Sequence, residues 1–172
     1  PTRRSSDLTC ETAMQIGRAA ALVLTKHTSH KPKIFIGKDT RISSDVLEAA
    51  LVAGICSVGA DAVILGVIPT PAVAMLVRKE NADAGVMISA SHNSVEFNGI
   101  KLFAGNGYKL SDEIEEEIEA LIFDTPEVIT QNLKNGTEIG RVSYDKNAEW
   151  NYVRYLMKTI DGDLTGVRVV VD

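Results

Sequence analysis

Five consecutive residues, Ser89-Ala90-Ser91-His92-Asn93, gather two hydroxyls, an imidazole and an amide directly after the β-rich run Ala84 to Ile88. Such a set suits a serine whose oxygen gives and takes a group, with neighbouring donors stabilising the charge that develops. Beyond them, Lys101 can fold back through a hairpin and add a cation. A second loop, Lys38-Asp39-Thr40-Arg41, follows the run Ile34 to Gly37 and contributes a carboxylate and a guanidinium. Spacing alone leaves other readings open. The loop hydroxyls can simply cap turns and helices, with His92 solvated and Asp39 paired structurally with Arg41. A serine hydrolase would need a base from elsewhere, because Ser91 and His92 are chain neighbours whose side chains diverge, and the chain has no G-x-S-x-G elbow. His27 and His30 sit in a Thr/Ser loop without a thiolate or carboxylate nearby and make a poor metal site.

Loops of this kind are positioned by the elements before and after them. From Thr9, a candidate N-cap, apolar Ala13, Ile16, Ala20 and Leu24 recur at three- and four-residue steps and predict a helix ending near Lys26. Ile34 to Gly37 predicts a strand. Ser43, Ser44 and Asp45 then signal a helix start, with Val46, Leu47, Ala50, Leu51, Gly54, Ile55 and Val58 as its apolar positions and Gly59 as its stop. Ala62 to Leu65 predicts a second strand. Thr70 offers a capping hydroxyl before Pro71, with Val73, Leu76 and Val77 on a buried face, and Ala84 to Ile88 is the third strand. Strands alternating with helices predict right-handed crossovers and a mostly parallel sheet covered on both sides, a three-layer α/β/α domain.

After the Ser89 to Gly99 loop the order changes to a hairpin-like strand, Ile100 to Phe103, which makes the sheet mixed. Gly105-Asn106-Gly107 turns the chain, Ser111 caps, and Asp112 to Ile122 predicts a helix with Ile114, Ile118, Leu121 and Ile122 inward and its acids solvated. Thr125 to Gly136 reads as irregular, Glu138 to Tyr144 as a candidate strand, and Asn147 to Ile160 as an amphipathic helix through Tyr152, Val153, Leu156 and Met157. Val167 to Val171 reads as a buried strand, so that 146–172 would open a second domain of similar type after a first domain at 9–145.

Composition bounds the function. The 172 residues make about one domain, and 45% hydrophobic with 24% charged residues describe a globular chain, not a disordered or fibrous one. A net charge of −5 and the lack of a Lys/Arg cluster argue against nucleic acid, and no apolar run approaches the ~20 residues that span a bilayer. Cys10 and Cys56 fall in helical patterns and read as reduced, buried thiols of a cytoplasmic protein. Residues 1–8 carry no initiator Met and read as a non-native scar, and the C-terminus reads as cut.

The string from Ala84 through Ser91-His92-Asn93, followed by Asn98-Gly99-Ile100-Lys101, resembles the active-site serine loop of the α-D-phosphohexomutases. G-K-D-T-R-I-S-S from Gly37, G-V-I-P-T-P from Gly66 and G-Y-K-L-S-D from Gly107 are most similar to the branch of that family acting on glucosamine phosphates. The resemblance implies an isomerase in which Ser91 carries a phosphoryl group and interconverts glucosamine 6-phosphate and glucosamine 1-phosphate through a bound 1,6-bisphosphate, toward UDP-N-acetylglucosamine and the cell wall. It implies His92 and Lys101 in proton handling or charge neutralisation and Asn93 in holding the loop; from the loop contents Ser89 is a further loop-support candidate, and Asp39 and Arg41 are candidates for active-site support. It implies one Mg2+ bound through the phosphate on Ser91, a phosphosugar as partner, and leaves a homodimer open for the full-length protein. Phosphomannomutase or phosphoglucomutase activity, and a non-catalytic domain keeping the fold, are the alternatives. Ser94 stands where the family usually has proline, which relaxes one backbone angle without removing a reacting atom. The family's first strand, its magnesium loop, its sugar-recognition loop and its last domain are expected outside this chain, so the isolated chain is expected to be inactive.

Overall fold

The computed structural model describes residues 8–171. The scar reading at 1–8 therefore falls, apart from Leu8, outside the described residues. Helix α1 (Cys10–Thr25) starts at Thr9, whose hydroxyl accepts the Thr12 N–H at 3.2 Å. Strand β1 (Lys33–Lys38) leads to α2 (Ser44–Ser57), then β2 (Asp61–Val67), α3 (Thr70–Lys79), β3 (Ala84–Ile88) and β4 (Ile100–Ala104). Helix α4 (Asp112–Phe123), α5 (Pro126–Gln131), β5 (Val142–Tyr144) and α6 (Ala148–Met157) complete the described elements, with a 3-10 turn at Gly136–Glu138.

The five strands form one sheet in the order β4-β3-β1-β2-β5. β1 pairs in parallel with β2 and β3, β2 with β5, and β4 alone runs antiparallel, with Met87 opposite Lys101 and Ile88 opposite Ile100. The mixed three-layer architecture expected from the sequence is thus the one observed. Alternate residues of the central strands feed two cores. Ile34, Ile36, Val86 and Ile88 pack under α1 and α2, while Phe35, Met87 and Phe103 pack under α3 and the start of α6. A third cluster joins α1 to α4 and α5 through Val23, Ile118 and Ile129. α1 and α2 touch backbone to backbone, since a β-carbon at Gly17 would lie 2.7 Å from the Leu51 carbonyl and one at Gly54 would run into that of Met14.

Several local expectations are corrected. Val46 faces solvent at 57% exposure, because the buried face of α2 runs through Leu47, Leu51 and Ile55. Thr70 does not cap α3: the cap position is Pro69, and Thr70 is already helical. The stretch after Thr125 contains α5, with Pro126 at its start. In α4, by contrast, the expected inward stripe is observed: Ile118 is buried, and half-buried Ile114, Leu121 and Ile122 pack against the same cluster. α6 stops at Met157, and Leu156 and Met157 are exposed. Val167 to Val171 has no ladder partner among the described residues and stays exposed, so its β-branched composition does not become a strand. Cys10 is exposed and Cys56 half-buried; both are free thiols.

Candidate active site

Because β1, β2, β3 and β5 are parallel, their carboxyl ends share one edge of the sheet, where ligands of open α/β sheets bind. The loops that follow β1 and β3 meet there. Ser91 is exposed and holds φ +59°, the left-handed region that a non-glycine residue enters at a cost of order 1–3 kcal/mol. A strained exposed serine must be held by its surroundings, and the holding groups are visible. Its N–H donates to Ser89 Oγ at 3.0 Å, and the Asn93 N–H closes the turn on the Ala90 carbonyl at 3.2 Å. Ser89, 7% exposed, ties its own N–H to the Gly99 carbonyl at 2.9 Å. The approach of strand and loop is close enough that a β-carbon at Gly99 would sit 2.8 Å from the Ser89 carbonyl oxygen.

Arg41 lies under this loop. Its Nε donates to Asp39 Oδ2 at 2.9 Å, Nη1 to the carbonyls of Ser94 (2.6 Å) and Phe97 (3.1 Å), and Nη2 to those of Ser91 (3.1 Å) and Asn93 (2.7 Å). Asp39 in turn accepts from the Arg41 N–H at 3.1 Å and Ser44 Oγ at 2.9 Å, and its own N–H donates to the Ile88 carbonyl at 3.0 Å. Burial alone would raise the Asp39 pKa, but hydrogen bonds from the Arg41 backbone, the Ser44 and Ser89 hydroxyls and the Arg41 side chain outweigh it and hold the carboxyl below its usual value. The structure therefore brings Asp39, Arg41, Ser89, Ser91 and Asn93 into one bonded group. Asp39 and Arg41 act in it as the frame of the loop.

Three contacts beside this frame were not legible in the sequence. Ser43 Oγ donates to Asn98 Oδ1, tying the start of α2 to the end of the loop. Lys38 Nζ donates to Asp45 Oδ1 at 2.7 Å and Glu48 Oε1 at 2.8 Å, with Lys38 and Glu48 both largely buried. Burial works against the Lys38 charge, yet hydrogen bonds and attraction from Asp45 and Glu48 prevail and raise its pKa. The only sequence signal for these contacts is the dense polar string G-K-D-T-R-I-S-S itself.

His92 is exposed beside Ser91, and Lys101 is half-buried on β4, opposite Met87 and so next to the end of β3 from which the loop departs. No hydrogen bond joins either to the bonded group among the described residues. Nor do three His, Cys, Asp or Glu side chains group there for a metal ion. A pocket of about 340 Å3 lies at the other edge, lined by His30, Lys33, Asp61 and Asp83 at the amino ends of the strands, away from the serine loop. In that pocket Asp83 is occupied in holding the Lys33 N–H, and Asn81 on its lining holds φ +50°. No helix among the described residues is long and apolar enough to cross a membrane.

Comparisons agree with the fold. The family description phosphoglucomutase/phosphomannomutase, alpha/beta/alpha domain I, matches residues 2–128. Phosphoglucosamine mutase of Acetivibrio thermocellus is 55% identical over 166 residues, covering 96% of this chain and 36% of the relative. That of Clostridium acetobutylicum is 54% identical over 168 residues, covering 98% and 37%. The chain thus spans little more than a third of the length of these curated relatives. A phosphoglucomutase/phosphomannomutase family protein from Burkholderia thailandensis superposes with a TM-score of 0.72 at 23% identity, covering 89% of this chain and 32% of that one. A phosphoglucomutase from Paramecium gives 0.64 at 15%, covering 88% and 32%. At those identities the two structures speak for the fold alone. With 127 of its 172 residues inside the family's first domain and a strained serine at the expected strand end, this chain belongs to the phosphoglucomutase/phosphomannomutase family.

Proposed function

We propose that this chain supplies the phosphoserine domain of a phosphoglucosamine mutase. The observation that carries the reading is Ser91, exposed at the carboxyl edge of the sheet on a left-handed backbone. In the forward direction the O1 hydroxyl of glucosamine 6-phosphate attacks the phosphorus on Ser91. The Oγ–P bond breaks, an O1–P bond forms, the hydroxyl proton leaves to a base, and the 1,6-bisphosphate results. After the sugar turns over, Ser91 Oγ attacks the 6-phosphoryl group, regenerating phosphoserine and releasing glucosamine 1-phosphate, a precursor of UDP-N-acetylglucosamine and the cell wall. Charge in such transfers spreads over the phosphoryl oxygens, so positioning and cations do most of the work. His92, next to Ser91, and Lys101, at the end of β3, are the proton-handling and charge-neutralising groups of this reading, with Ser89 and Asn93 holding the turn.

A hard oxygen on an exposed serine fits Mg2+, which prefers phosphate oxygens and a few carboxylates. Phosphorylated Ser91 would be the ligand from this chain, and the ion would neutralise phosphoryl charge. The glucosamine specificity is supported by the relatives' names and by their identity with this chain. We place the first domain at 9–145 and the opening of the second at 146–172, with α6 seated through Ala148 against the core under α3. The free thiols and the absence of a membrane-crossing helix among the described residues support a cytoplasmic enzyme.

Treating the complete enzyme with glucosamine 1,6-bisphosphate and weighing it by intact-protein mass spectrometry should find one phosphoryl group, mapped to Ser91. Assays with glucosamine, mannose and glucose phosphates should favour the amino sugar. An adduct on another residue, or none, overturns the mechanism; preference for mannose or glucose phosphate overturns only the sugar.

A further inference from the structure

We infer that Arg41 is the positioning residue of the phosphoserine loop, gathering the loop's carbonyl oxygens on one side so that its N–H groups and Ser91 Oγ are presented on the other. The inference rests on the function proposed above. A guanidinium has five N–H donors, and all are engaged here, one by Asp39 and four by the carbonyls of Ser91, Asn93, Ser94 and Phe97. The side chain is 10% exposed. With its donors spent inside the protein, Arg41 has none left for a phosphosugar, and its contribution must pass through the loop. In a trans peptide the N–H points opposite to the C=O. Fixing those four carbonyls toward Arg41 therefore turns the N–H groups of His92, Ser94, Val95 and Asn98 away from it. The buried cation also lets a loop rich in carbonyl oxygens sit beside a dianionic phosphoryl group, because the negative ends of its peptide dipoles are already neutralised.

Ser94 sharpens the point. Without the proline that usually fixes this part of the loop in the family it resembles, the backbone at Ser94 is freer, and its carbonyl is restrained by the 2.6 Å bond from Arg41 together with the Phe97 N–H at 3.1 Å. Lysine cannot take over, since one ammonium offers three donors from a single point where five are spread over a plane.

The test compares wild type, Arg41→Ala and Arg41→Lys in the complete enzyme. Both variants should lose about 100-fold in kcat with KM changed by less than about threefold. Amide hydrogen exchange should speed up across residues 89–99 and stay unchanged in β1 and β3. Millimolar guanidinium ion, and not ammonium, should restore part of the Arg41→Ala activity. Full turnover in Arg41→Lys, unchanged loop exchange in either variant, or faster exchange spread through the sheet each overturns the inference. Should Arg41→Ala fail to fold, Arg41→Lys decides the matter by the same readouts. A wild-type enzyme that never carries phosphate on Ser91 would instead sink the function reading, and the exchange comparison would still judge the clamp.

Discussion

The two edges of the parallel sheet solve opposite problems with opposite charges. At the carboxyl edge strands run out into loops with spare carbonyl oxygens, and a cation, Arg41, collects four of them. At the amino edge the spare groups are N–H donors, and carboxylates meet them: Asp83 Oδ2 accepts from the Lys33 N–H at 2.8 Å, and Asp61 Oδ1 from the Arg141 N–H at 2.7 Å. Asp83 also accepts from His30 Nε2 at 2.9 Å, and Asp61 pairs with Lys31 at 3.2 Å. The amino edge has a pocket, and its carboxylates Asp61 and Asp83 are engaged in closing the sheet. The carboxyl edge holds the Ser91 hydroxyl in the open on a left-handed backbone. The pocket and the exposed serine thus lie at opposite edges, and a left-handed non-glycine backbone occurs at both, at Asn81 and at Ser91.

Substitutions can break that contrast. Ser91→Ala should abolish turnover of the complete enzyme by several orders of magnitude while changing unfolding free energy by less than about 0.5 kcal/mol, since an exposed loop hydroxyl packs against little. Steady-state kinetics and urea melts measure the two; residual turnover near wild type would remove Ser91 from the chemistry. Lys101→Met should lower kcat about 100-fold, the cost of losing one stabilising donor, with the fold intact by circular dichroism. Equal kinetics would confine Lys101 to the sheet. At the other edge the sign of the effect reverses. Asp83→Ala should leave turnover alone and cost about 1–3 kcal/mol of unfolding free energy in urea melts, because it strands the part-buried Lys33 N–H. A loss of activity without loss of stability would make the amino edge functional after all.

The smallest effect is a pH slope. The folded carboxyl of Asp39 titrates below its unfolded value of 3.8, so its stabilising contribution is complete above that value and fades as pH falls through the folded pKa. Asp39→Asn should therefore flatten the fall of stability as pH drops below the unfolded value of 3.8, measured by thermal melts. An unchanged slope would mean that other carboxylates carry the acid sensitivity.

The strands were legible because β1, β2 and β3 are short apolar runs, Ile34-Phe35-Ile36 among them, bounded by glycine, proline or polar residues. Residue type pointed to Ser91 and strand order put it on the ligand edge. What stayed hidden depends on partners distant in the chain. Arg41 reads as one charge in a polar string, and its carbonyl partners lie 50 or more residues away. The six residues of α5 are too few to show a period. Val167 to Val171 has the composition of a strand, but composition yields a ladder only where a neighbouring edge accepts it. Val46 shows the same limit within one helix, for a valine at the margin of an apolar stripe can fall on either side of it.

The dihedral at residue 91 also constrains which alcohol can stand there. Threonine offers an equally competent oxygen, but its branched β-carbon crowds the backbone in a region where unbranched residues are already uncomfortable. Shape, and not nucleophilicity, then excludes the swap, so the choice between two chemically equivalent side chains is made by a torsion angle.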